Sequence, residues 1–285
     1  MTVKILADSG CDLPLGFFRE NNVTLFPLKV VMDGKEYEDL VSITPEQIYE
    51  AIAAGKFPKT SQVSPADFKE VFTKLAENNE KGIYIAFSSE LSGTYQTGAM
   101  ILDQVKEDYP DFECTIIDSK CASLGYGLVV MAAAKLANSG ASMEEIIQDV
   151  TFRARHMEHL FTVEDLNHLA KGGRLSRASA FLGGLLNIKR LLNVEDGKLV
   201  PIEKIRGKKK LLRRIIELMK QRGDSLGDQL IAISHANNEE TALEMKKMIE
   251  AEFGPKEIYI NQIGAVIGSH TGQGTIAVFF LNRIR

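Results

Sequence analysis

Three clusters of small polar residues hold most of the chemistry this chain could do. Between Ile83 and Met100 a β-branched and aromatic run breaks at Ser88, Ser89, Ser92, Gly93 and Thr94 before a helical pattern resumes. A strand feeding a helix in this way gathers hydroxyls and free backbone N–H groups at the positive end of a helix dipole. Such an end is a ready anion site. Lys59-Thr60-Ser61-Gln62 precedes a second predicted helix, and Gly268-Ser269-His270-Thr271-Gly272-Gln273-Gly274 lies near the C-terminus. Uncharged hydroxyls, helix N–H groups and one histidine suit a carboxylate better than a phosphate, which usually recruits arginine or lysine.

Each cluster also has a plain structural reading. Ser92 can cap the helix that begins at Gly93, Thr60 and Ser61 can cap or turn before the helix opened by Pro65, and His270 can be a turn histidine. The enzymatic alternative is a serine hydrolase acting on acyl esters through Ser92 and His270. It requires a serine on a strained elbow and a histidine oriented by a carboxylate. The chain has no GxSxG, and no acidic residue lies within several positions of His270. Nucleotide binding has less support, since Gly272-Gln273-Gly274 lacks the third glycine of a dinucleotide fingerprint and no P-loop occurs. His156, His159 and His168 have no acidic partner in metal-ligand register, so neither a metal nor another cofactor is expected.

The elements that must position these groups follow from pattern. Short apolar runs at 3–7, 83–87 and 114–118 read as strands, alternating with helical spacing at 45–54, 65–76, 93–107, 124–138 and 142–155. That alternation indicates a parallel sheet covered on both faces, with ligands beyond the carboxyl ends of the strands. The run 25–32, Asp33-Gly34 and 35–38 suggest a hairpin. After about residue 158 the rhythm changes to an α+β pattern. It has a strand at 160–163, a helix at 165–170, a hairpin over 191–205, helices at 208–222 and 238–253, and strands at 229–234, 257–263 and 275–281. In the apolar segment 178–186 the glycines Gly183 and Gly184 read either as helix packing or as room for an apolar guest beside Phe181 and Leu182. At 285 residues the chain fits two domains, 1–158 and 159–285, with a ligand cleft between them.

Composition narrows the partners. A net charge of −4 argues against non-specific nucleic-acid binding. Three cysteines, Cys11, Cys114 and Cys121, without CxxC spacing suit a reducing compartment. The N-terminus has only a five-residue apolar run before Asp8, which is too short for a signal peptide, and no stretch approaches a membrane span. A cytoplasmic protein is expected, with at most transient membrane contact.

Together these segments resemble the DegV family. The resemblance is carried by Lys59-Thr60-Ser61-Gln62, by Ser88-Ser89-Glu90-Leu91-Ser92-Gly93-Thr94-Tyr95, by Leu169-Ala170-Lys171-Gly172-Gly173-Arg174-Leu175-Ser176, and by His270-Thr271-Gly272-Gln273-Gly274-Thr275. It runs in order along the whole chain and departs at Val63, Arg190 and Gln273, where the family often has proline. The resemblance implies a bacterial two-domain α/β carrier that holds a long-chain fatty acid such as palmitate in a buried tunnel. It further implies that this carrier is not itself an enzyme and presents the carboxylate to a separate ATP-dependent kinase subunit. By motif, Thr60, Ser61, Ser92, Gly93, Thr94 and His270 would form the ligand site. Arg174 would face the kinase, joined by Lys171 and by Arg206 from the basic run 204–214.

Overall fold

Runs of apolar residues bounded by Asp, Ser and Gly become strands, and stretches with Pro or Ser in the first turn become helices. In the computed structural model, which describes residues 3–175 and 188–284, the chain opens with β1 (Lys4–Asp8), α1 (Leu15–Glu20), β2 (Val23–Phe26), β3 (Lys29–Met32) and β4 (Lys35–Glu38). Next come α2 (Pro45–Ala53), β5 (Lys59–Ser61), α3 (Pro65–Glu77), β6 (Gly82–Ala86) and α4 (Thr94–Asp108). β7 (Cys114–Asp118), α5 (Ser123–Asn138), α6 (Met143–His156), β8 (Met157–Val163) and α7 (Leu166–Lys171) follow. The rest is β9 (Ile188–Glu195), β10 (Lys198–Arg206), α8 (Lys208–Arg222), β11 (Leu230–His235), α9 (Glu239–Phe253), β12 (Glu257–Gln262), α10 (Ala265–Thr271) and β13 (Ile276–Leu281). The apolar segment 178–186, with Phe181 and Leu182, lies outside the described residues.

β2, β1, β6 and β7, in that order, form a fully parallel sheet. Side chains alternate across it. Ile5, Ala7, Ile83 and Ile85 pack towards α5 and α6, while Leu6, Phe26, Tyr84 and Ala86 pack against Phe68 and Phe72 of α3 and Ile101 of α4. The expected strand 25–32 is divided in two. Pro27 cannot donate to a ladder, so β2 stays in the parallel sheet and β3 joins a small antiparallel sheet, β4-β3-β5. The hairpin turn at Asp33-Gly34 is present, with both residues at positive φ (54° and 75°) as that turn type demands. The polar cluster 59–62 is not a cap or turn. Thr60 pairs with Val30 as an edge strand, and Ser64 caps α3 instead, its Oγ accepting from the Asp67 N–H at 3.1 Å.

The second sheet has the order β10-β9-β8-β13-β11-β12 and is antiparallel except for the pair β11 and β12. One face, with Ile231, Ile233, Val278 and Phe280, is covered by α8 and α9. The other, with Phe161, Leu192, Ala277 and Phe279, belongs to the same core as the parallel sheet. α5 lies between the two sheets, which explains why its residues, among them Tyr126, Val129, Val130 and Ala133, are apolar on nearly every side. Gly125 and Gly127 allow the close fit: a Cβ at Gly125 would overlap His159 and Phe279, and one at Gly127 the Cys11 carbonyl oxygen. The chain thus forms the α/β fold expected of it, a parallel sheet followed by a separate mixed one.

Gly125→Ala should therefore cost about 1–3 kcal/mol of unfolding free energy, measured by urea denaturation. Gly16→Ala, on the open face of α1, should instead be neutral or stabilising by up to about 1 kcal/mol. Equal effects at the two sites would show that α5 is not tightly held between the sheets.

Candidate ligand-binding site

The glycine-rich stretch around His270 is largely helical, and His270 sits in the last turn of α10 rather than in a loop. Seven residues that include Gly268 would not hold a helix alone, so tertiary partners must. Asp12, in the turn after β1, accepts from the Gly264 N–H at 2.9 Å, and Asp39, after β4, accepts from the Ala265 N–H at 3.2 Å. Burial pushes the Asp12 carboxyl up to about 8 and that of Asp39 up to about 6, opposed only in part by these hydrogen bonds. The Tyr49 hydroxyl donates to the Ile263 carbonyl at 2.8 Å, and the Gln273 amide donates to the Tyr49 carbonyl at 2.7 Å. α10 is thus pinned at both ends by the N-terminal half of the chain.

Val266, Ile267, His270 and Thr271, one stripe along this helix, and Ile263 just before it line a cavity of about 350 Å³ between the two sheets. Its body is mostly apolar, with Phe87, Leu91, Phe161, Leu169, Leu199 and Phe279. At the His270 end the wall turns polar, with Thr60, Ser61, Gln62, Ser92, Gly93 and Arg174. Ser61, Gln62 and Gly93 are exposed, so this end reaches the protein surface.

Thr60 Oγ1 lies 2.7 Å from His270 Nε2. Among the described residues His270 Nδ1 is buried without a partner, against Gly172, where a Cβ would overlap it. Buried donors are left unpaired more rarely than buried acceptors, which puts the ring proton on Nε2, donated to Thr60. The Thr60 hydroxyl hydrogen is then free for a ligand. Burial, with Arg174 and His168 nearby, pulls the His270 pKa down to about 4, so the ring is neutral at pH 7.

Ser92 Oγ accepts from the Thr94 N–H at 3.3 Å and is 2.9 Å from Thr94 Oγ1. It therefore supports the start of α4, whose N-cap position is Gly93, while still lining the cavity. Thr94, expected in the ligand site, is buried behind Ser92 and does not line the cavity. Its hydroxyl is committed to Ser92 and to the Val63 N–H at 3.4 Å. Arg174, expected on a docking face, is half-buried at the cavity mouth. It donates from Nε to the Leu91 carbonyl at 3.2 Å and from Nη1 to the Gly172 carbonyl at 2.6 Å. Lys171 and Arg206 are exposed. Within the basic run, Arg214 is paired with Glu203 and Glu217, and Lys208 with Glu244.

Among the described residues His270 is not paired with Ser92: its Nε2 meets Thr60, and no carboxylate orients its Nδ1 as a hydrolase histidine requires. Among the described residues no group of three or more His, Cys, Asp or Glu could hold a metal, and no helix is long and apolar enough to cross a membrane. Sequence reasoning missed Gln62 and Gly172 as site residues. It also missed Ser123, Ser234 and His159, which line the cavity away from the His270 end. Local signals existed for Gln62, in the polar cluster 59–62, and for Gly172, in its paired glycines.

The neutral state of His270 has a measurable consequence. Unfolded, the ring titrates near 6.5, so below that pH the unfolded chain binds a proton that the folded one refuses until about 4. Stability due to this residue is therefore lost as pH falls from 6.5 towards 4. His270→Asn should gain on the wild type by on the order of 1 kcal/mol per pH unit across that window, read from urea denaturation at stepped pH. A pH-independent difference would mean that His270 titrates in the fold as it does unfolded.

Comparison with known proteins places this architecture. The family model described as an uncharacterised protein of the DegV family matches residues 2–283. A DegV domain-containing protein of Clostridium perfringens is 38% identical over 280 residues, covering 97% of this chain and 96% of its own. Among solved structures, a DegV family protein from Thermus thermophilus, described by its fatty acid binding, superposes with a TM-score of 0.90 at 31% identity, covering 98% of this chain and 99% of its own. DegV from Bacillus subtilis, described as a fatty acid binding protein, gives 0.86 at 30% identity and 98% coverage of both chains. With the family model spanning nearly the whole chain and the fold shared from end to end, this chain belongs to the DegV family.

Proposed function

We propose that the cavity binds one long-chain fatty acid and that the protein presents its carboxylate to a separate ATP-dependent kinase subunit, performing no chemistry itself. The observation that carries this reading is the polarity of the cavity: an apolar body within the core ends in hydroxyls, a neutral histidine and Arg174 at the surface. The fatty-acid binding described for the Thermus thermophilus and Bacillus subtilis relatives supports it. Thr60 and Ser92 donate to the carboxylate, His270 orients the Thr60 hydroxyl, and the guanidinium of Arg174 supplies positive charge at the mouth. The N–H groups at the start of α4, beside Gly93, add to it. Burying some fourteen methylenes is worth on the order of 11 kcal/mol gross before association costs, enough for retention through purification.

The exposed Lys171 and Arg206 flank this reading as docking contacts, and complementary charge there acts mainly on association rate. A division of the chain near residue 158 is supported by β8, which starts at Met157 and is the first strand of the six-stranded sheet. The family resemblance and the reduced cysteines Cys11, Cys114 and Cys121 favour a bacterial cytoplasm.

Denaturing extraction of the purified protein should release about one fatty acid per chain. Thr60→Ala and Ser92→Ala should each weaken palmitate binding about tenfold or more, since a hydrogen bond to a charged group contributes roughly 1.5–3 kcal/mol. Both variants binding like the wild type would place the carboxylate elsewhere. With a cognate kinase subunit and ATP, the lipid-loaded protein should yield acyl phosphate. The paired change Lys171→Ala and Arg206→Ala should slow that step and leave palmitate affinity unaltered. Hydrolysis of an acyl ester by the protein alone would instead favour the hydrolase.

A further inference from the structure

The cavity has a second polar patch at the other end of α10. Asp12, which holds the Gly264 N–H, is hydrogen-bonded to the Ser123 hydroxyl, and Ser123 Oγ lies 3.0 Å from Ser234 Oγ. Asp12 and Ser234 are fully buried and Ser123 nearly so, yet Ser123 and Ser234 both line the cavity. Ser234 lies on the sheet face otherwise built from Ala232, Ala277 and Phe279. Gly264 and His270 are six residues apart, about 9 Å along a helix axis, so the two polar patches are separated by the length of α10.

Counting protons along this row leaves one unmatched site. With Asp12 ionised, Ser123 donates to it and Ser234 donates to Ser123, so the lone pairs of Ser234 are unused. With Asp12 protonated, the chain reverses: the carboxyl donates to Ser123, Ser123 to Ser234, and the Ser234 hydrogen is unused. In both states the spare capacity is on Ser234, at the cavity wall. His159 is not a competitor, because its Nδ1 is bonded to the Met157 carbonyl at 3.2 Å and its Nε2 accepts from the Ala122 N–H at 3.3 Å. Ser123 and Asp12 are also held at positive φ (52° and 53°), a region that Asp visits fairly readily but that is uncommon for serine.

We infer that Ser234, backed by Ser123 and Asp12, forms a subsite for a hydroxyl group carried part-way along an acyl chain, so that hydroxylated fatty acids are among the ligands of this cavity. A hydroxyl is the group that fits, since it accepts when Ser234 donates and donates when Ser234 accepts. A carbonyl oxygen matches only one of the two states. This inference rests on the proposed carboxylate site, which fixes the direction of the chain.

The test is a titration of the protein with stearate and with a series of monohydroxystearates whose hydroxyl is stepped along the chain. In a purely apolar cavity every isomer should bind about tenfold or more weakly than stearate, because an unpaired buried hydroxyl is penalised. Instead, at least one mid-chain isomer should match or exceed stearate, and Ser234→Ala should lower the affinity ratio of that isomer to stearate about tenfold. Wild-type protein that rejects every isomer overturns the subsite, as does a ratio unchanged in Ser234→Ala. Should Ser234→Ala fail to fold, the wild-type series decides alone. Failure to bind stearate itself would overturn the fatty-acid reading, whereas stearate binding with rejection of all isomers overturns only the subsite.

Discussion

The N–H groups of Gly264 and Ala265 must find acceptors inside the protein, and the acceptors they find are carboxyls from the other half of the chain, Asp12 and Asp39. A short helix with free N–H groups in an apolar interior is otherwise untenable. This seat fixes where α10 points, and α10 in turn places His270 against Thr60 and spreads Ile263, Val266 and Ile267 along the cavity. The carboxyls are costly to bury, and burial raises their pKa values accordingly. What they supply is orientation more than net stability. The polar mouth, the apolar wall and the junction between the two sheets thus share one anchor.

At the mouth the groups are neutral apart from Arg174, and even that guanidinium is tied to two backbone carbonyls. For the proposed carboxylate this arrangement means directed hydrogen bonds with little reorganisation, since Ser92 and Thr94 brace each other and His270 braces Thr60. Gly172 belongs to the same device. It leaves space for the imidazole to turn its unprotonated nitrogen inward, so that the protonated one meets Thr60.

Local pattern was enough for the parallel sheet, because β1, β6 and β7 are apolar runs between helical repeats, and for the Asp33-Gly34 hairpin. The hydroxyl clusters at Thr60 and Ser92 were equally legible, since polar residues at element ends stand out against apolar neighbours. α10 was not. Its glycines and its seven-residue length make it a turn by any local rule, and it is held as a helix by Asp12, Asp39 and Tyr49, each more than two hundred positions away in the chain. Ser123 and Ser234 escaped for the same reason: their hydroxyls meet across 111 residues of sequence. A motif gives the residues of a turn without saying which of them lines a cavity: Ser92 does, and Thr94 lies buried behind it. The two backbone partners of Arg174, the carbonyls of Leu91 and Gly172, carry no signal in the sequence either.

The side chains that line the cavity are also core residues. Phe87, Leu91, Phe161, Leu199 and Phe279 belong to the hydrophobic cluster that joins the parallel sheet, α5 and the mixed sheet. Shortening one of them to admit a longer or kinked guest also deletes packing, at about 2–5 kcal/mol for a leucine or phenylalanine truncated to alanine. That is a large share of the roughly 5–15 kcal/mol by which a domain is stable. Paralogues diverging in guest preference are therefore constrained to small, volume-compensated exchanges such as Leu to Met or Ile to Leu, or to changes at the rim. In this architecture, the evolution of selectivity is limited by what the core can tolerate.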